Sequence, residues 1–404
     1  MKCIKLLTFF CMSLLNSIIN AKPNAFCNMP VADLIGTSMK QAQRQKLPVQ
    51  SYEQQPLSDN PGDHACNRLS QLLLNEQVEI LEKQKKEYKI KIFHWYHQAG
   101  TPPKKQVVYW VDKSTITEFD KLKKNDLAKI PQPILFTEKS IPHDNLVTLT
   151  SSFYDKQNRK TYSAGTRFVK TKKQLKNKNI SVFSFNKQKN TFKTISLPQS
   201  ICIEKHPTTD KGKRKLFVKL LKEWAYQENG YIPYILGGAS IGTPGKFKPM
   251  IKKVPFNKKN VTLYDLPEKQ TGKAKYGIDC AHLIARAAQI AGIKYFVKNT
   301  TTLKQKLIPL MQQEKLETGD ILVWKGHTAV VSDAQKGLLI EARGYNHDYG
   351  KVQEIPFHEQ FKGIKTSKQL TTAYLNKVPI GRLNKAGKNI QTIYDLKIMK
   401  LPLS

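Results

Sequence analysis

Cysteine is scarce in this chain, and its spacing excludes a cysteine-based zinc site. The 404 residues contain six cysteines, at positions 3, 11, 27, 66, 202 and 280. No two of them lie close enough together to match a zinc-ligand pattern, and we expect no metal. Cys27 and Cys66 flank the start of one predicted domain. In an oxidising compartment they either form a disulfide or stay free, and the sequence alone does not decide between the two.

Long apolar runs are also missing, apart from one at the N-terminus. Residues 1–21 have the features of a Sec signal peptide, with Lys2 and Lys5 ahead of the apolar run Leu6–Leu15 and a cleavage site at Ile19-Asn20-Ala21. A membrane anchor is the alternative, but the run is short for a span. We therefore expect a secreted or periplasmic protein of the cell envelope with no integral membrane span.

Acidic residues are few for the number of basic ones. The chain has 31 Asp and Glu against 67 Lys and Arg, which gives a formal net charge of +36. Such an excess either attracts the protein to an anionic wall or envelope surface or reflects a compositional bias toward lysine. Nucleic acid is not an expected partner, because the sequence contains no nucleic-acid-binding motif and the signal peptide directs the protein outward.

The segment around Cys280 predicts a helix that begins at a nucleophile. Asp279 is a suitable N-cap, and Gly292 is a suitable helix end. Between them apolar residues recur at helical spacing, at Leu283, Ile284, Ala287, Ile290 and Ala291. We therefore expect Cys280 in the first turn of a buried helix. There the macrodipole and free N–H groups would favour the thiolate over the thiol.

A histidine follows on a predicted strand. Residues 319–331 have a strand–turn–strand pattern in which His327 opens the second strand. A cysteine at a helix start with a histidine on a later strand is the chain order of papain-like thiol hydrolases. The interpretation is that Cys280 is the nucleophile and His327 the general base, which takes the thiol proton and later gives one to the leaving amine. The alternatives are a core cysteine at a helix start and a strand histidine paired to the backbone.

These motifs resemble those of the NlpC/p60 family of bacterial cell-wall peptidases. The residues that carry the resemblance are Tyr234-Ile235-Leu236-Gly237-Gly238, Asp279-Cys280, Gly319-Asp320 and His327. They stand in the family's order and span roughly residues 207–385, a little under half of the chain. The resemblance implies a papain-like α+β domain, a helix packed on an antiparallel sheet, that works without a cofactor.

A third polar group should hold the His327 ring in its productive tautomer. After His327 the sequence predicts a hairpin whose second strand carries Glu341. The family more often has a histidine at the matching position, but a carboxylate there would also stabilise an imidazolium. Glu341 is therefore the candidate, and His347 is the alternative.

The resemblance also implies residues that contact the substrate. The family's counterpart of Tyr234 lines the site and donates to the oxyanion together with the backbone N–H of Cys280. The counterpart of Asp279 contacts the free amine of a terminal L-Ala, which is compatible with its role as an N-cap. A packed aromatic side chain is the alternative for Tyr234. His282 departs from the family pattern and either tunes the pocket or faces solvent.

The N-terminal half has strand periodicity and resembles bacterial SH3-like modules. Residues 28–120 match one such module, and residues 121–206 match either a second module or a plain β spacer. In family members with these modules, a carboxylate and an aromatic ring of the first module wall off the site. The nearest matches are Glu76 and Trp110, which would form a gate that admits released peptides with a free N-terminus. A surface glutamate and a core tryptophan are the alternatives.

The predicted architecture is multidomain. It consists of a signal peptide (1–21), an all-β SH3-like barrel (28–120), a second barrel or β spacer (121–206), the α+β catalytic domain (207–385) and a tail (386–404). The main hypothesis is a secreted cysteine endopeptidase that acts on peptidoglycan or released muropeptides and cleaves the γ-D-glutamyl bond to the diamino acid through a thioester. The alternatives are a non-catalytic peptidoglycan-binding protein and an acyltransferase or amidase of the same fold.

Overall fold

The computed structural model describes most of the chain. The described residues are 22–36, 38, 68–99, 105–135, 144–172, 178–226, 231–242, 252–256, 259–263, 276–295, 297–344 and 350–403. The predicted signal peptide, Cys66 and His347 lie outside these residues. Within them, no helix has the length and apolar character that a membrane crossing requires.

The first part of the fold is an antiparallel β-structure. Its strands are β1 (Ala25–Cys27), β2 (Val31–Ile35), β3 (Arg68–Leu73), β4 (Gln77–Lys83), β5 (Glu87–Ile92), β6 (Gln98–Ala99), β7 (Lys105–Gln106), β8 (Tyr109–Asp112) and β9 (Ile116–Glu118). Seven of them form one sheet in the order β3-β2-β8-β5-β4-β1-β9, and β6 and β7 form a small hairpin. Asn75 makes the turn from β3 to β4 with a φ of 70°, a left-handed conformation that asparagine tolerates.

The second part consists of short antiparallel pairs. Its elements are α1 (Lys124–Leu127), β10 (Leu146–Leu149), β11 (Phe153–Asp155), β12 (Lys160–Tyr162), β13 (Arg167–Val169), β14 (Asn179–Asn186), β15 (Thr191–Pro198) and β16 (Cys202–Ile203). Three 3-10 turns lie at Lys113–Thr115, Phe119–Lys121 and Gln199–Ile201. The sequence also predicts a strand at Pro133–Phe136, which is wrong for residues 133–135. Pro131 and Pro133 lack the N–H that pairing in a sheet requires.

The third part is a mixed α+β structure. Its elements are α2 (Asp210–Ala225), β17 (Ala239–Ser240), β18 (Lys252–Phe256), β19 (Lys259–Leu263), β20 (Gly277–Ile278), α3 (Cys280–Ile290), α4 (Thr300–Lys306), β21 (Ile321–Trp324), β22 (His327–Asp333), β23 (Leu338–Arg343), β24 (Lys351–Pro356), α5 (Phe357–Gln360), α6 (Ser367–Leu375), β25 (Ile380–Leu383), β26 (Asn389–Ile393) and β27 (Lys397–Met399). Five of the strands form an antiparallel sheet in the order β24-β23-β22-β21-β27.

Helix α3 lies at the centre of this arrangement, and every residue in it is buried. Its apolar side chains join one core with α2 and with the strands β22 and β23. Burying each leucine or isoleucine contributes roughly 1.5–3 kcal/mol, so this face fixes the helix firmly against the sheet. The helix ends at Ala291, and Gly292 follows with a φ of 77°, as the sequence predicts.

The sequence predicts the α+β character correctly but misjudges some connections. A long loop is predicted for 239–275, yet three of the strands lie in it, β17, β18 and β19. A tail is predicted from 386 onward, yet β27 pairs with β21 and extends the five-stranded sheet. The description of the N-terminal sheets as SH3-like barrels stays a prediction, as do the domain boundaries.

Candidate active site

Cys280 is the first residue of α3. The Asp279 side chain caps the helix by accepting a hydrogen bond from the backbone N–H of His282 at 2.8 Å. The cysteine is 9% exposed. The backbone of Thr328 makes a hydrogen bond to its thiol, so the sulfur lies against the start of β22. The residue before Thr328 is His327, the predicted partner of Cys280.

A carboxylate orients His327. Its Nε2 lies 2.7 Å from Oε2 of Glu341, which is on the adjacent strand β23. The side chains of Gln353 and Gln360 each donate to Glu341 at 3.2 Å, and Arg343 lies 3.6 Å away. Every oxygen of this fully buried carboxylate is therefore engaged. His347, the alternative third residue, lies outside the described residues.

The charges around Glu341 determine which nitrogen of His327 acts as a base. Burial raises the pKa of Glu341, but Arg343 and His327 outweigh burial and lower it to about 2. Burial and the charge of Arg382 lower the pKa of His327 to about 4, against the opposing effect of Glu341. An ionised carboxylate only accepts hydrogen bonds, so the neutral imidazole donates its Nε2–H to Glu341. Nδ1 then carries the free lone pair.

The environment of Cys280 opposes the thiolate that a helix start favours. Burial and the neighbouring Asp279 raise the pKa of its thiol to about 12. The hydrogen bond from Thr328 and the charge of Arg382 act in the opposite direction but are outweighed. A helix N-terminus stabilises an anion by only about 0.3–1 kcal/mol, which does not offset the desolvation of a buried sulfur.

Arg382 is a member of the site that the sequence does not indicate. It lies on β25, is 5% exposed, and its guanidinium sits 5.3 Å from the ring centroid of Trp324. That ring is in turn 5.0 Å from the ring of His327. The charge of Arg382 acts on Cys280, Glu341 and Tyr234, while burial lowers its own pKa to about 10. The sequence predicts a strand around residues 378–381, just before this arginine, but only the three-dimensional structure brings Arg382 to the ring that packs on His327.

Tyr234 stands next to the segment that leads into Cys280. It forms a parallel bridge with Ile278, and its N–H donates to the carbonyl of Gly350 at 2.9 Å. The following glycines allow a close approach of backbones. A Cβ on Gly237 would lie 2.4 Å from the carbonyl oxygen of Arg68. A Cβ on Gly238 would lie 2.4 Å from the carbonyl oxygen of Gly277. The glycines of this motif are thus required by packing.

His282 does not face solvent. It is completely buried, and its Nδ1 lies 2.8 Å from Oδ2 of Asp279. Its Nε2 lies 2.8 Å from the hydroxyl of Ser70 on β3. Both oxygens of Asp279 are therefore bound to His282, one by its backbone and one by its ring. This chain of hydrogen bonds joins the N-terminal sheet to the residue that precedes the nucleophile.

Glu76 and Trp110 have other contacts. Glu76 forms an ion pair with Arg286 and lies 3.2 Å from His94. Trp110 pairs with Ile35 across the sheet and is 8% exposed. Within the described residues neither side chain contacts Cys280, His327 or Glu341 by a hydrogen bond, ion pair or ring contact.

Two further free cysteines, Cys27 and Cys202, are among the described residues. The thiol of Cys27 donates to the carbonyl of Met29 at 3.3 Å. Cys66, for which the sequence leaves a disulfide with Cys27 undecided, lies outside the described residues. Burial raises the pKa of Cys202 to about 12. In the part of the chain that the structure describes, no cluster of three or more His, Cys, Asp or Glu side chains is suited to a metal ion.

Comparisons with known proteins give a likeness among solved structures. No family model matches the sequence, and no curated protein matches it. Among solved structures, an NlpC/P60 family protein from Bacillus cereus ATCC 10987 is similar to this chain. The two share 14% sequence identity at a TM-score of 0.48, over 83% of this chain and 94% of that one.

Proposed function

We propose that the protein is a cysteine hydrolase that cleaves an amide bond in peptidoglycan stem peptides. One observation carries the proposal. Cys280 begins α3, which packs against β22, and on β22 the Nε2 of His327 lies 2.7 Å from the buried carboxylate of Glu341. A nucleophile, a base and a group that orients the base are the parts that amide hydrolysis through a thioester requires.

The mechanism follows from the protonation states. As Sγ of Cys280 attacks the amide carbon, Nδ1 of His327 takes the thiol proton, and Glu341 stabilises the imidazolium that results. The oxyanion accepts hydrogen bonds from the backbone N–H of Cys280 and from the phenol of Tyr234. Collapse of this intermediate expels the amine, which receives the proton from His327, and leaves a thioester. Water, deprotonated by His327, then hydrolyses the thioester and restores the thiol.

The bond and the setting are the finer part of the proposal. We assign the γ-D-glutamyl bond to the diamino acid as the scissile bond, and the cell envelope as the site of action. The resemblance of the Cys280 and His327 motifs supports both. The net charge of +36 fits a partner that is an anionic polymer or its fragments.

Mass spectrometry of the products tests this function. Full-length protein is incubated with the soluble peptide L-Ala-γ-D-Glu-meso-diaminopimelate. The expected products are L-Ala-D-Glu and free diaminopimelate. Cys280→Ala should release neither while keeping the thermal unfolding temperature of the parent. A Cys280→Ala protein that still releases both would refute the assignment of the nucleophile, and an inactive parent that binds peptidoglycan would favour a binding protein.

A further inference from the structure

Lys298 lies buried beside the catalytic helix, at a position that no motif predicts. Its side chain belongs to the buried set, at 8% exposure. Its N–H donates to the carbonyl of Tyr96 at 3.2 Å, and the preceding Val297 forms a parallel bridge with the same residue. The following Asn299 caps α4 by accepting from the N–H of Thr302. The backbone of Lys298 is thus held from both sides.

The ammonium of Lys298 differs from every other buried cation among the described residues. Arg68, Arg286 and Arg343 each form an ion pair with a carboxylate, and Arg382 lies over the ring of Trp324. Within the described residues, Nζ of Lys298 has neither an ion pair within 4 Å nor a hydrogen bond. Nζ is not among the fully buried side-chain nitrogens without a partner, so it keeps contact with solvent. An anion that reaches this position therefore gains a charged partner that the described residues do not fill.

The groups around Lys298 place it near the start of α3. It is linked through Tyr96 to Trp95, whose ring is 5.4 Å from the ring of His282. Its charge acts on Asp279, whose two oxygens are already bound to His282, and on Cys280.

The neighbouring histidines add no charge. Nδ1 of His97 lies 3.0 Å from the hydroxyl of Tyr109. Burial and the charge of Lys298 lower the pKa of His97 to about 3, and burial lowers that of His282 as well. Both rings are therefore uncharged near neutral pH. The charged group that acts on Lys298 is then Asp279, which lies farther from it than the distance of an ion pair.

We propose that Lys298 forms a subsite beside Cys280 that binds a free carboxylate of the substrate. This inference rests on the proposed hydrolase function and specifies the substrate class. A γ-linked glutamyl residue keeps its α-carboxylate free a few bonds from the scissile carbonyl, which fits a single buried ammonium. The family resemblance implies that Asp279 binds an amine of the substrate. In this structure such an amine would be repelled by the like charge of Lys298, and the carboxylate of Asp279 is already bound to His282.

Two peptides that differ in one group test the subsite. One is L-Ala-γ-D-Glu-meso-diaminopimelate, and the other carries an α-carboxamide in place of the glutamyl α-carboxylate. The parent protein should favour the carboxylate peptide by roughly 10- to 100-fold in kcat/KM, because a hydrogen bond to a charged group is lost with the amide. Lys298→Met should bring this preference close to one, and Lys298→Arg should retain much of it.

The control is Lys294→Met, which removes a half-buried lysine from the same segment and should leave both rates unchanged. Equal losses on both peptides in Lys298→Met, or no loss on either, would overturn the subsite. Thermal unfolding checks that each variant is folded, and Lys298→Gln replaces Lys298→Met if the latter is not.

Failure of the hydrolase function is distinguishable from failure of the subsite. If the parent cleaves neither peptide, titration calorimetry measures binding of both peptides to the unmodified chain and to Lys298→Met. A preference for the carboxylate peptide that disappears in Lys298→Met supports the subsite without hydrolysis. Equal affinities for the two peptides, or no binding of either, contradict it.

Discussion

At the scale of residues, the site is a thiol and a neutral imidazole held by a buried carboxylate. Glu341 keeps the Nε2 proton of His327 in place. In the proposed mechanism this leaves Nδ1 as the base for Cys280. A carboxylate serves this purpose because its ionised oxygens can only accept. In the proposed mechanism the thiol proton leaves during the attack on the substrate, and Glu341 stabilises the charge that appears on His327.

Glu341→Gln should lower kcat by about 10³-fold with little change in KM. A neutral amide stabilises the imidazolium less, and its NH₂ group can donate to Nε2 and move the ring proton to Nδ1, the wrong tautomer for a base. Steady-state kinetics measure the effect. Glu359→Gln removes an exposed glutamate from α5 and should behave like the parent. Equal rates for the two variants would exclude Glu341 from the mechanism.

Arg382→Met should shift the acidic limb of the pH–rate profile to higher pH. Activity requires neutral His327, so in the parent it should fall as the pH drops through about 4. Removing the positive charge of Arg382 makes the imidazolium less unfavourable, which raises the pKa of His327 toward its usual value. The control is Lys388→Met, which removes an exposed cation from the turn between β25 and β26. The acidic limb of its pH–rate profile should match that of the parent. A limb that does not move in Arg382→Met would contradict this electrostatic role.

At the scale of elements, α3 has two faces with different tasks. Its apolar face packs on α2 and the five-stranded sheet, and its polar face reaches the N-terminal part. On that polar face Arg286 donates to the carbonyl of Ala239 at 2.9 Å and forms an ion pair with Glu76. Gln289 donates to the carbonyl of His94 at 2.9 Å. The nucleophile helix is therefore positioned by both halves of the protein.

Arg286→Met should destabilise the protein by about 3 kcal/mol. It leaves Glu76 without its ion-pair partner in a mostly buried position. Denaturant unfolding measures the loss, and the double variant Glu76→Gln/Arg286→Met should recover part of it. Lys219→Met, which breaks an exposed pair with Glu223 on α2, should change stability by less than about 1 kcal/mol. Strictly additive effects of the two substitutions at 76 and 286 would show that the pair is not coupled.

The elements also show which features a sequence can predict. Local signals define α3, because Asp279, the apolar spacing and Gly292 all lie within one short stretch. The positions of Cys280 at a helix start and His327 at a strand start follow from the same local rules. The partners of His282 and Arg286 could not be predicted, since Ser70 and Glu76 are about 210 residues away in sequence. The same is true of Arg382 and Lys298, whose roles depend on long-range packing.

At the scale of the whole molecule, buried titratable groups make the fold sensitive to acid. The folded pKa values of His97 and His327 are lowered to about 3 and about 4, and that of Glu341 to about 2. In each case the unfolded chain binds protons at a higher pH than the folded one. The stability that these groups contribute is present above their unfolded pKa values and is lost as the pH falls through the folded values.

The thermal unfolding temperature should therefore fall between pH 7 and pH 4. Each unit of pKa difference corresponds to roughly 1.4 kcal/mol, so the histidines alone account for a loss of a few kcal/mol across this range. Calorimetry at fixed ionic strength measures it. His97→Gln should flatten the dependence, whereas His358→Gln, which changes an exposed histidine on α5, should not. An unfolding temperature that is constant over this pH range would contradict the assignment of neutral buried histidines.

The central claim is that Cys280 forms a thioester with the glutamyl carbonyl of a stem peptide. The most direct measurement is intact-protein and peptide-map mass spectrometry after rapid acid quenching of the protein with L-Ala-γ-D-Glu-meso-diaminopimelate. The account predicts a hydroxylamine-sensitive adduct with the mass of the L-Ala-γ-D-Glu acyl group on the peptide that contains Cys280, together with released diaminopimelate. Release of diaminopimelate at the parental rate by Cys280→Ala, with no adduct at any residue of the parent, would contradict it.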